Sequence, residues 1–212
     1  MSTWAQLLAD IRTDLKDTGT TPRWADAALF LYAKDAIRDY STFFPLVKRA
    51  TLTVQAGSYA LPADLIEVWM VECPANRFLE KRLERPGSHY DTATVPNKYS
   101  IEGSSILLDG TPQGGDPVIL TYGALHVVPT DVAQATTLTI PVLDEELIRI
   151  YVKAKATEQI RTQQASLDRF KLGSGARDDN PLMPETGNLM DEYRRKIAER
   201  IPGGVVKLWR AR

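Results

Sequence analysis

Two clusters of acidic side chains come nearest in this sequence to a catalytic or metal-binding pattern. Asp144, Glu145 and Glu146 form the first cluster, and Asp178 and Asp179 form the second. Neighbouring carboxylates can bind a cation or act as a paired acid and base. The first cluster has a simpler role, because Asp144 suits a helix N-cap and the two glutamates favour the positive end of the helix dipole. The second cluster lies in a polar stretch and lacks the spacing of a calcium loop.

Other chemistry-bearing residues are few and far apart. His89 and His126 are the two histidines, and their separation does not match the spacing of zinc ligands, so we predict surface histidines. The sequence GSG at 173–175 follows a predicted helix, where glycine is a common stop, and lacks the rest of a phosphate-binding loop. No nucleophile-elbow sequence is present. We therefore expect no enzymatic activity, cofactor or metal site; a metal-dependent hydrolase that uses the acidic clusters is the alternative.

Composition places the chain among ordinary globular proteins. Its 212 residues carry a formal net charge of −1, which gives no general attraction to nucleic acid. Cys73 is the one cysteine, so an internal disulfide is impossible, and its apolar surroundings predict a buried side chain. No uninterrupted apolar run is long enough to span a membrane, and the charged N-terminal segment does not match a signal peptide.

The C-terminal segment combines apolar side chains with cations and contains no acid. Pro202-Gly203-Gly204 forms a hinge before it. Tryptophan and arginine are enriched where proteins bind each other strongly. We predict a docking segment; a tail that folds back on its own domain and a weak nucleic-acid arm are the alternatives. The candidate docking residues are Val205, Val206, Lys207, Leu208, Trp209, Arg210 and Arg212.

Helical patterns occur at both ends of the chain. A first helix has Trp4, Leu7 and Ile11 on one face, with Thr3 and Gln6 as a capping box. A second helix is predicted to follow, with Thr21 as the N-cap and Pro22 in the first position. A third helix is predicted from Asp144 to Phe170, then a polar loop over 173–187, and a last helix from Asn188 to Arg200.

Short strands are predicted between the helical parts, over residues 48–140. The segment is rich in Thr, Val, Ile, Tyr, Gly and Pro, which is typical of a small antiparallel sheet or sandwich. Leu65–Cys73 is almost wholly apolar, so we predict a central strand that is covered on both faces. The other predicted strands are Thr51–Val54, Ser58–Leu61, Lys98–Ile101, Ser105–Asp109 and Val118–Tyr122.

Together these patterns predict an α+β protein. Residues 1–47 and 141–201 form a bundle of about four helices, residues 48–140 form an inserted small antiparallel β domain, and residues 202–212 form an extended C-terminal docking tail. An insertion of this kind requires the two ends of the β region to lie close together.

Several stretches, taken in order, resemble the head-to-tail adaptor (connector) proteins of tailed bacteriophages. They cover residues 20–165 and include RWADAALFLYAKDAIRDY, QAGSYALPADLIEV, KYSIEGSSILLDGTP, ILTYGALHVVP and IPVLDEELIRIYVKAKATEQ. The resemblance implies a helical bundle with a β insertion and no catalytic residues. It also implies a homo-oligomeric ring, commonly a dodecamer, beneath the portal protein.

In such a ring the subunits extend the DNA channel, and the genome passes without specific binding. In several relatives a C-terminal segment docks on the portal, a role that Val205–Arg212 would fill; the loop 173–187 is an alternative arm that grips a neighbour. Further partners would be tail or head-completion proteins. The implied location is the head–tail interface of the virion, after assembly in the bacterial host cytoplasm. The alternative is a tail-completion or other minor virion protein that binds the tail tube.

Overall fold

The structure is a computed structural model that describes residues 2–55, 58–82, 95–129, 136–171 and 182–201. These residues form four α-helices, one 3-10 turn and eight β-strands, so the predicted mixture of helices and strands is confirmed. The helices are α1 (Trp4–Asp14), α2 (Asp26–Phe43), α3 (Glu145–Lys171) and α4 (Leu182–Arg200), and the 3-10 turn is Val142–Asp144. The strands are β1 (Leu46–Leu52), β2 (Val54–Gln55), β3 (Ser58–Ala60), β4 (Leu65–Glu72), β5 (Glu80–Lys81), β6 (Lys98–Glu102), β7 (Ser105–Leu108) and β8 (Val118–Ala124).

The chain divides into two compact units. The helical unit comprises residues 1–44 and 126–212, and the β unit comprises residues 45–125. Residues 126–129 and 136–140, which the sequence assigned to the β region, therefore belong to the helical unit. The physical reason is burial, because Leu138 and Ile140 are fully enclosed in the core that the helices share.

In the helical unit, α3 contacts each of the other three helices. The predicted capping box begins α1, where the Thr3 hydroxyl accepts from the Gln6 amide at 3.3 Å and the Gln6 side chain accepts from the Thr3 amide at 2.8 Å. The helix then buries Trp4, Leu7 and Ile11, as its spacing predicted. The core is completed by apolar faces of α2, α3 and α4, including Leu29, Ile37, Leu147, Ile148, Val152, Tyr193 and Ile197.

Helix α2 begins later than predicted. Its N-cap is Ala25, so the prediction of Thr21 as the cap was wrong. The Asp17 carboxylate accepts from the Arg23 amide at 2.6 Å, and the Arg12 guanidinium donates to the Trp24 carbonyl at 3.1 Å. These contacts hold the segment before Ala25 outside the helix, although Thr21 followed by Pro22 is typical of a helix N-terminus.

Helix α4 begins earlier than predicted, at Leu182 and not at Asn188. The predicted polar loop over 173–187 is therefore wrong for residues 182–187, and residues 173–181 lie outside the described part of the chain. Helix α3 ends at Lys171, close to its predicted end at Phe170.

The β unit contains two small sheets. One has three antiparallel strands in the order β1-β8-β4, and the other has five in the order β2-β3-β7-β6-β5. The pairing of β5 with β6 is parallel, so the prediction of a purely antiparallel region was wrong. The unit has its own core, in which Val71, Cys73, Ile106 and Leu120 are fully buried, as the sequence predicted for Cys73.

Strand β4 is an edge strand, and the prediction of a central strand covered on both faces was wrong. Its register against β8 shifts twice, between Leu65 and Glu67 and between Val68 and Met70. The bulges leave Trp69 and Met70 about two-fifths exposed. The apolar run of β4 therefore contributes side chains to an exposed surface as well as to the core.

Candidate functional site

The predicted docking residues of the C-terminal tail lie outside the described part of the chain. These residues are Val205, Val206, Lys207, Leu208, Trp209, Arg210 and Arg212. The structure instead describes the place from which they depart, since α4 ends at Arg200 and Ile201 is the last described residue. The site is therefore built from the C-terminal end of α4 and the side chains around it.

The end of α4 is anchored to the beginning of α3 by charged pairs. The Arg200 guanidinium donates to the Asp144 carboxylate, and the Lys196 ammonium donates to the Glu146 carboxylate. The bond from Lys196 holds the pKa of Glu146 below its ordinary value. We call this group the α4 anchor; it fixes the point at which the tail leaves the helical unit.

Two tyrosine hydroxyls extend the α4 anchor into the core. Tyr40 donates to Asp144, and Tyr193 donates to Asp39 at 2.6 Å. Burial, together with these carboxylates, raises the pKa of both tyrosines. The hydroxyls therefore stay protonated and act as donors that brace α3 and α4 against α2.

The first acidic cluster is used by the fold. Asp144 accepts from Tyr40 and Arg200, Glu145 accepts from the Ser2 hydroxyl, and Glu146 accepts from Lys196. In the ranges that the structure describes, no three His, Cys, Asp or Glu side chains are placed to hold a metal ion. Asp178 and Asp179, the glycines at 173–175 and His89 lie outside those ranges.

An exposed apolar pair lies directly before the α4 anchor. Val142 is 59 % exposed and Leu143 is 83 % exposed, the largest value for a large apolar side chain in the described residues. We call this pair the apolar step. The sequence pattern did not predict this exposure, because two apolar residues before a helix also fit a core contact. Their position between Pro141 and three acids could have indicated that they lie before the helix and outside it. In the structure, a 3-10 turn holds them there.

His126 is buried, with 6 % of its surface exposed, and the prediction of a surface histidine was wrong. Its Nε2 lies 2.9 Å from the Phe44 carbonyl, and its Nδ1 lies 3.0 Å from the Thr139 hydroxyl. Since a carbonyl only accepts, Nε2 carries the proton and Nδ1 accepts from Thr139. Burial lowers the pKa of His126, so the ring is neutral at pH 7. Its role in the helical unit is to join the two segments that flank the β unit.

The β unit carries a second exposed apolar surface, the outer face of its three-stranded sheet. Val47 on β1 is 60 % exposed and Met70 on β4 is 43 % exposed, and they lie on either side of β8. Pro45 and Trp69 pack over Gly123 of β8, where a Cβ would lie 2.9 Å from the Pro45 Cβ. We call this the outer sheet face; a glycine is needed at this position of β8 because the neighbouring side chains occupy the space.

An ion pair borders the outer sheet face, and further polar contacts on the opposite face also brace the sheet. Arg49 of β1 donates to the Glu72 carboxylate of β4 at 2.9 Å, across the central strand. Lys48 and Tyr122 both donate to Asp64, at 2.6 and 3.2 Å. These contacts connect β1 to β4, and connect β1 and β8 to Asp64, the residue directly before β4.

None of the helices in the described ranges has an apolar stretch sufficient for a transmembrane span. The chain matches the family model described as SU10 adaptor protein over residues 2–184, which includes the apolar step and the outer sheet face. The match ends before the C-terminal tail. A search of curated proteins finds no match.

Proposed function

Because this chain belongs to the SU10 adaptor protein family, a family of phage head–tail adaptors, we propose that it forms a ring beneath the portal and joins the capsid to the tail. Membership of the family carries a general adaptor role, a place in the virion and contact with other virion components. Our proposal goes further than this general role. It includes the ring, its twelve copies, the DNA channel that the ring extends and the contact with the portal.

The match over residues 2–184 is the observation that carries the proposal. The two exposed apolar surfaces add support, since a closed ring needs a different face of each subunit at its two contacts. Val47 and Met70 on the outer sheet face supply an apolar area, and Arg49 and Glu72 border it. Such an area is suited to a neighbouring subunit or another virion protein.

The C-terminal tail is the proposed portal-binding segment. The α4 anchor fixes its departure point through Arg200 and Lys196, and Pro202-Gly203-Gly204 allows the chain to change direction there. The tail itself offers Trp209 with flanking cations, a composition typical of binding hot spots. We also propose that the protein acts without catalysis, as the family resemblance implies, so that its contribution is positional.

The experiment is co-sedimentation with purified portal protein. The full chain should sediment with the portal, and negative-stain electron microscopy of the mixture should show a ring on the portal. A variant in which residues 203–212 are replaced by ten Gly and Ser residues should keep its circular dichroism spectrum and lose portal binding. Unchanged binding by this variant would reject the tail as the docking segment.

The alternative adaptor position is tested with the same proteins. A tail-completion or other minor virion protein would sediment with the purified tail tube and leave the portal in the supernatant.

The proposal that the protein acts without catalysis has its own test. Metal-dependent hydrolysis by the full chain that is lost in Asp144→Ala would contradict it.

A further inference from the structure

Strand β1 is an open edge of the three-stranded sheet. It pairs with β8 from Leu46 to Leu52 without a break in register. In the part of the chain that the structure describes, no strand pairs with β1 on the side away from β8. The backbone N–H and C=O groups on that side therefore lack a partner strand, and a row of such groups is a template for another extended chain.

The opposite edge of the same sheet is less accessible to a further strand. β4 shifts twice in register against β8, and bulges of this kind hinder strand addition. The Leu79 amide also donates to the Val71 carbonyl at 2.8 Å, so the chain after β4 folds back along the end of that strand. β1 contains neither a bulge nor a proline, and it is the edge of this sheet that an added strand would select.

The inner side chains of β1 are covered on one side only. Leu46 lies opposite Ala124 of β8, and Ala50 lies opposite Leu120. The two residues of β8 are fully buried, whereas Leu46 and Ala50 are only partly buried, although all four contribute to the core of the β unit. A strand beside β1 would cover Leu46 and Ala50, provided that it carries apolar side chains at alternate positions.

The charges of β1 select the kind of strand that fits. Lys48 and Arg49 are adjacent, and β1 contains no acid. Lys48 pairs with Asp64, and Arg49 pairs with Glu72. If a second β1 added in antiparallel orientation about its centre, Arg49 would lie opposite the same residue of the other copy. Like charges directly opposite each other are destabilising, so these cations oppose pairing between two copies of β1.

Arg49 retains donors for a second carboxylate. Both of its hydrogen bonds to Glu72 start at Nη2, and within the described ranges Nη1 and Nε have no acceptor. A carboxylate on an added strand would approach Arg49 from the side opposite to Glu72 and accept a charge-assisted bond. Glu67, another acid of β4, lies two strands from β1 and about 10 Å away, so it opposes this contact only weakly.

We propose that the outer edge of β1 binds an extended segment of another virion protein, which adds to the sheet as a strand beside β1. The segment places apolar side chains next to Leu46 and Ala50 and a carboxylate next to Arg49. Backbone hydrogen bonds supply affinity, and the alternating side chains supply specificity. The virion origin of the segment rests on the function proposed above, whereas the pairing of an acidic extended segment with β1 does not.

A synthetic nonapeptide, Thr-Val-Thr-Val-Glu-Val-Thr-Val-Thr, is the probe. It carries a fluorophore and is titrated with the full chain while its anisotropy is followed. Its valines match the inner face of β1, and its glutamate matches the face of Arg49. We expect binding, with hydrogen-exchange protection of residues 46–52 in the complex. A peptide with lysine in place of the glutamate should bind about tenfold more weakly or worse, because it replaces an attraction by a repulsion.

Two further peptides test the backbone pairing. They are N-methylated at the odd or at the even positions, and one of them should lose binding because the donors that face β1 are then absent. On the protein side, Arg49→Gln should weaken the binding of the glutamate peptide. Arg38→Gln is the matched control and should bind as wild type does, since the two arginine side chains are 57 % and 56 % exposed and each pairs with one acid.

Absence of binding, or protection that excludes residues 46–52, would overturn the proposal. Equal binding of the glutamate and lysine peptides, or of the parent and both N-methylated peptides, would also overturn it. A peptide with the sequence of β1, Leu-Val-Lys-Arg-Ala-Thr-Leu, should bind more weakly than the glutamate peptide. Tighter binding of the β1 peptide would contradict the proposal and assign this edge to a second copy of the chain. None of these results depends on whether the portal binds the protein.

Discussion

At the scale of single residues, His126 lies in a buried environment that its sequence context did not predict. It lies where the chain re-enters the helical unit, and its ring bonds the Phe44 carbonyl at the point where the chain leaves that unit. The His126 amide also donates to the Ser41 hydroxyl at 3.1 Å. One residue therefore fixes both segments of the helical unit that flank the insertion.

The buried ring makes stability depend on pH. Burial lowers the folded-state pKa of His126 below its unfolded value of about 6.5, although Asp144 opposes the shift. Below pH 6.5 the unfolded chain binds a proton that the folded chain does not, so the stability from His126 is present above this pH. It is lost as the pH falls through 6.5 towards the folded-state pKa.

The variant His126→Gln isolates this contribution. The stability advantage of wild type over the variant should shrink between pH 7.5 and pH 5, by up to about 1.4 kcal/mol per pH unit below 6.5. Urea unfolding of both proteins at each pH measures this difference in stability. The titration of the carboxylates affects the stability of both proteins equally and cancels in the difference. An advantage that stays constant across this range would contradict a neutral buried ring.

At the scale of elements, the strands of the β unit were largely predictable. β3, β4, β6, β7 and β8 begin at their predicted first residues, because turn residues separate short apolar runs. Residues 46–50, five of the seven in β1, were missed, since Lys48 and Arg49 hide the pattern and pairing with β8 decides the conformation.

The errors have a common physical cause, which is that distant contacts override local chemistry. Asp17 prevents α2 from starting at Thr21, and the bulges of β4 turn Trp69 out of the core. The candidate site was only partly predictable for the same reason. The acids at 144–146 were recognised as a helix start, but their pairing with Arg200 and Lys196 depends on how α4 packs.

Two glycines show how the same substitution has opposite effects in a strand and in a helix. A Cβ at Gly123 on β8 would lie 2.9 Å from the Pro45 Cβ and 3.4 Å from the Trp69 ring, whereas a Cβ at Gly187 on α4 has nothing within 4 Å. Gly123→Ala should therefore destabilise the protein by about 1–3 kcal/mol. Gly187→Ala should stabilise it by about 0.5–1 kcal/mol, because alanine loses less backbone entropy in a helix.

Thermal unfolding followed by circular dichroism measures both changes. For a chain of this size 1 kcal/mol moves the midpoint by about 2–4 °C, so the two variants should shift in opposite directions. A Gly123→Ala midpoint at or above that of wild type would show that Pro45 and Trp69 can yield without cost.

At the scale of the whole molecule, the ends of the β unit lie together. Leu46 at the start of β1 pairs with Ala124 at the end of β8, and the two strands stay in register to Leu52 and Val118. The unit also has a buried core of its own. An insertion with joined ends and a separate core has the properties of an independent domain.

Residues 45–125, expressed as a separate polypeptide, should therefore fold. The expected result is a circular dichroism spectrum dominated by strands and a cooperative thermal transition. Residues 1–44 are the matched control and should remain unfolded alone, because α1 and α2 pack against α3. A separate β unit without a cooperative transition would show that its core needs the rest of the chain.

The insertion also sets the order of events during synthesis. Helices α1 and α2 leave the ribosome before α3, the helix on which both pack, and the 101 residues from 44 to 144 lie between α2 and α3. At about 5–20 residues per second this delay lasts ~5–20 s. During that interval Leu7 and Leu29 lack the surface of α3, while strands β1 to β8 of the β unit have already been synthesised. The β unit can therefore fold before the helical unit does. Until then, α1 and α2 are the segment of the nascent chain that a chaperone would bind.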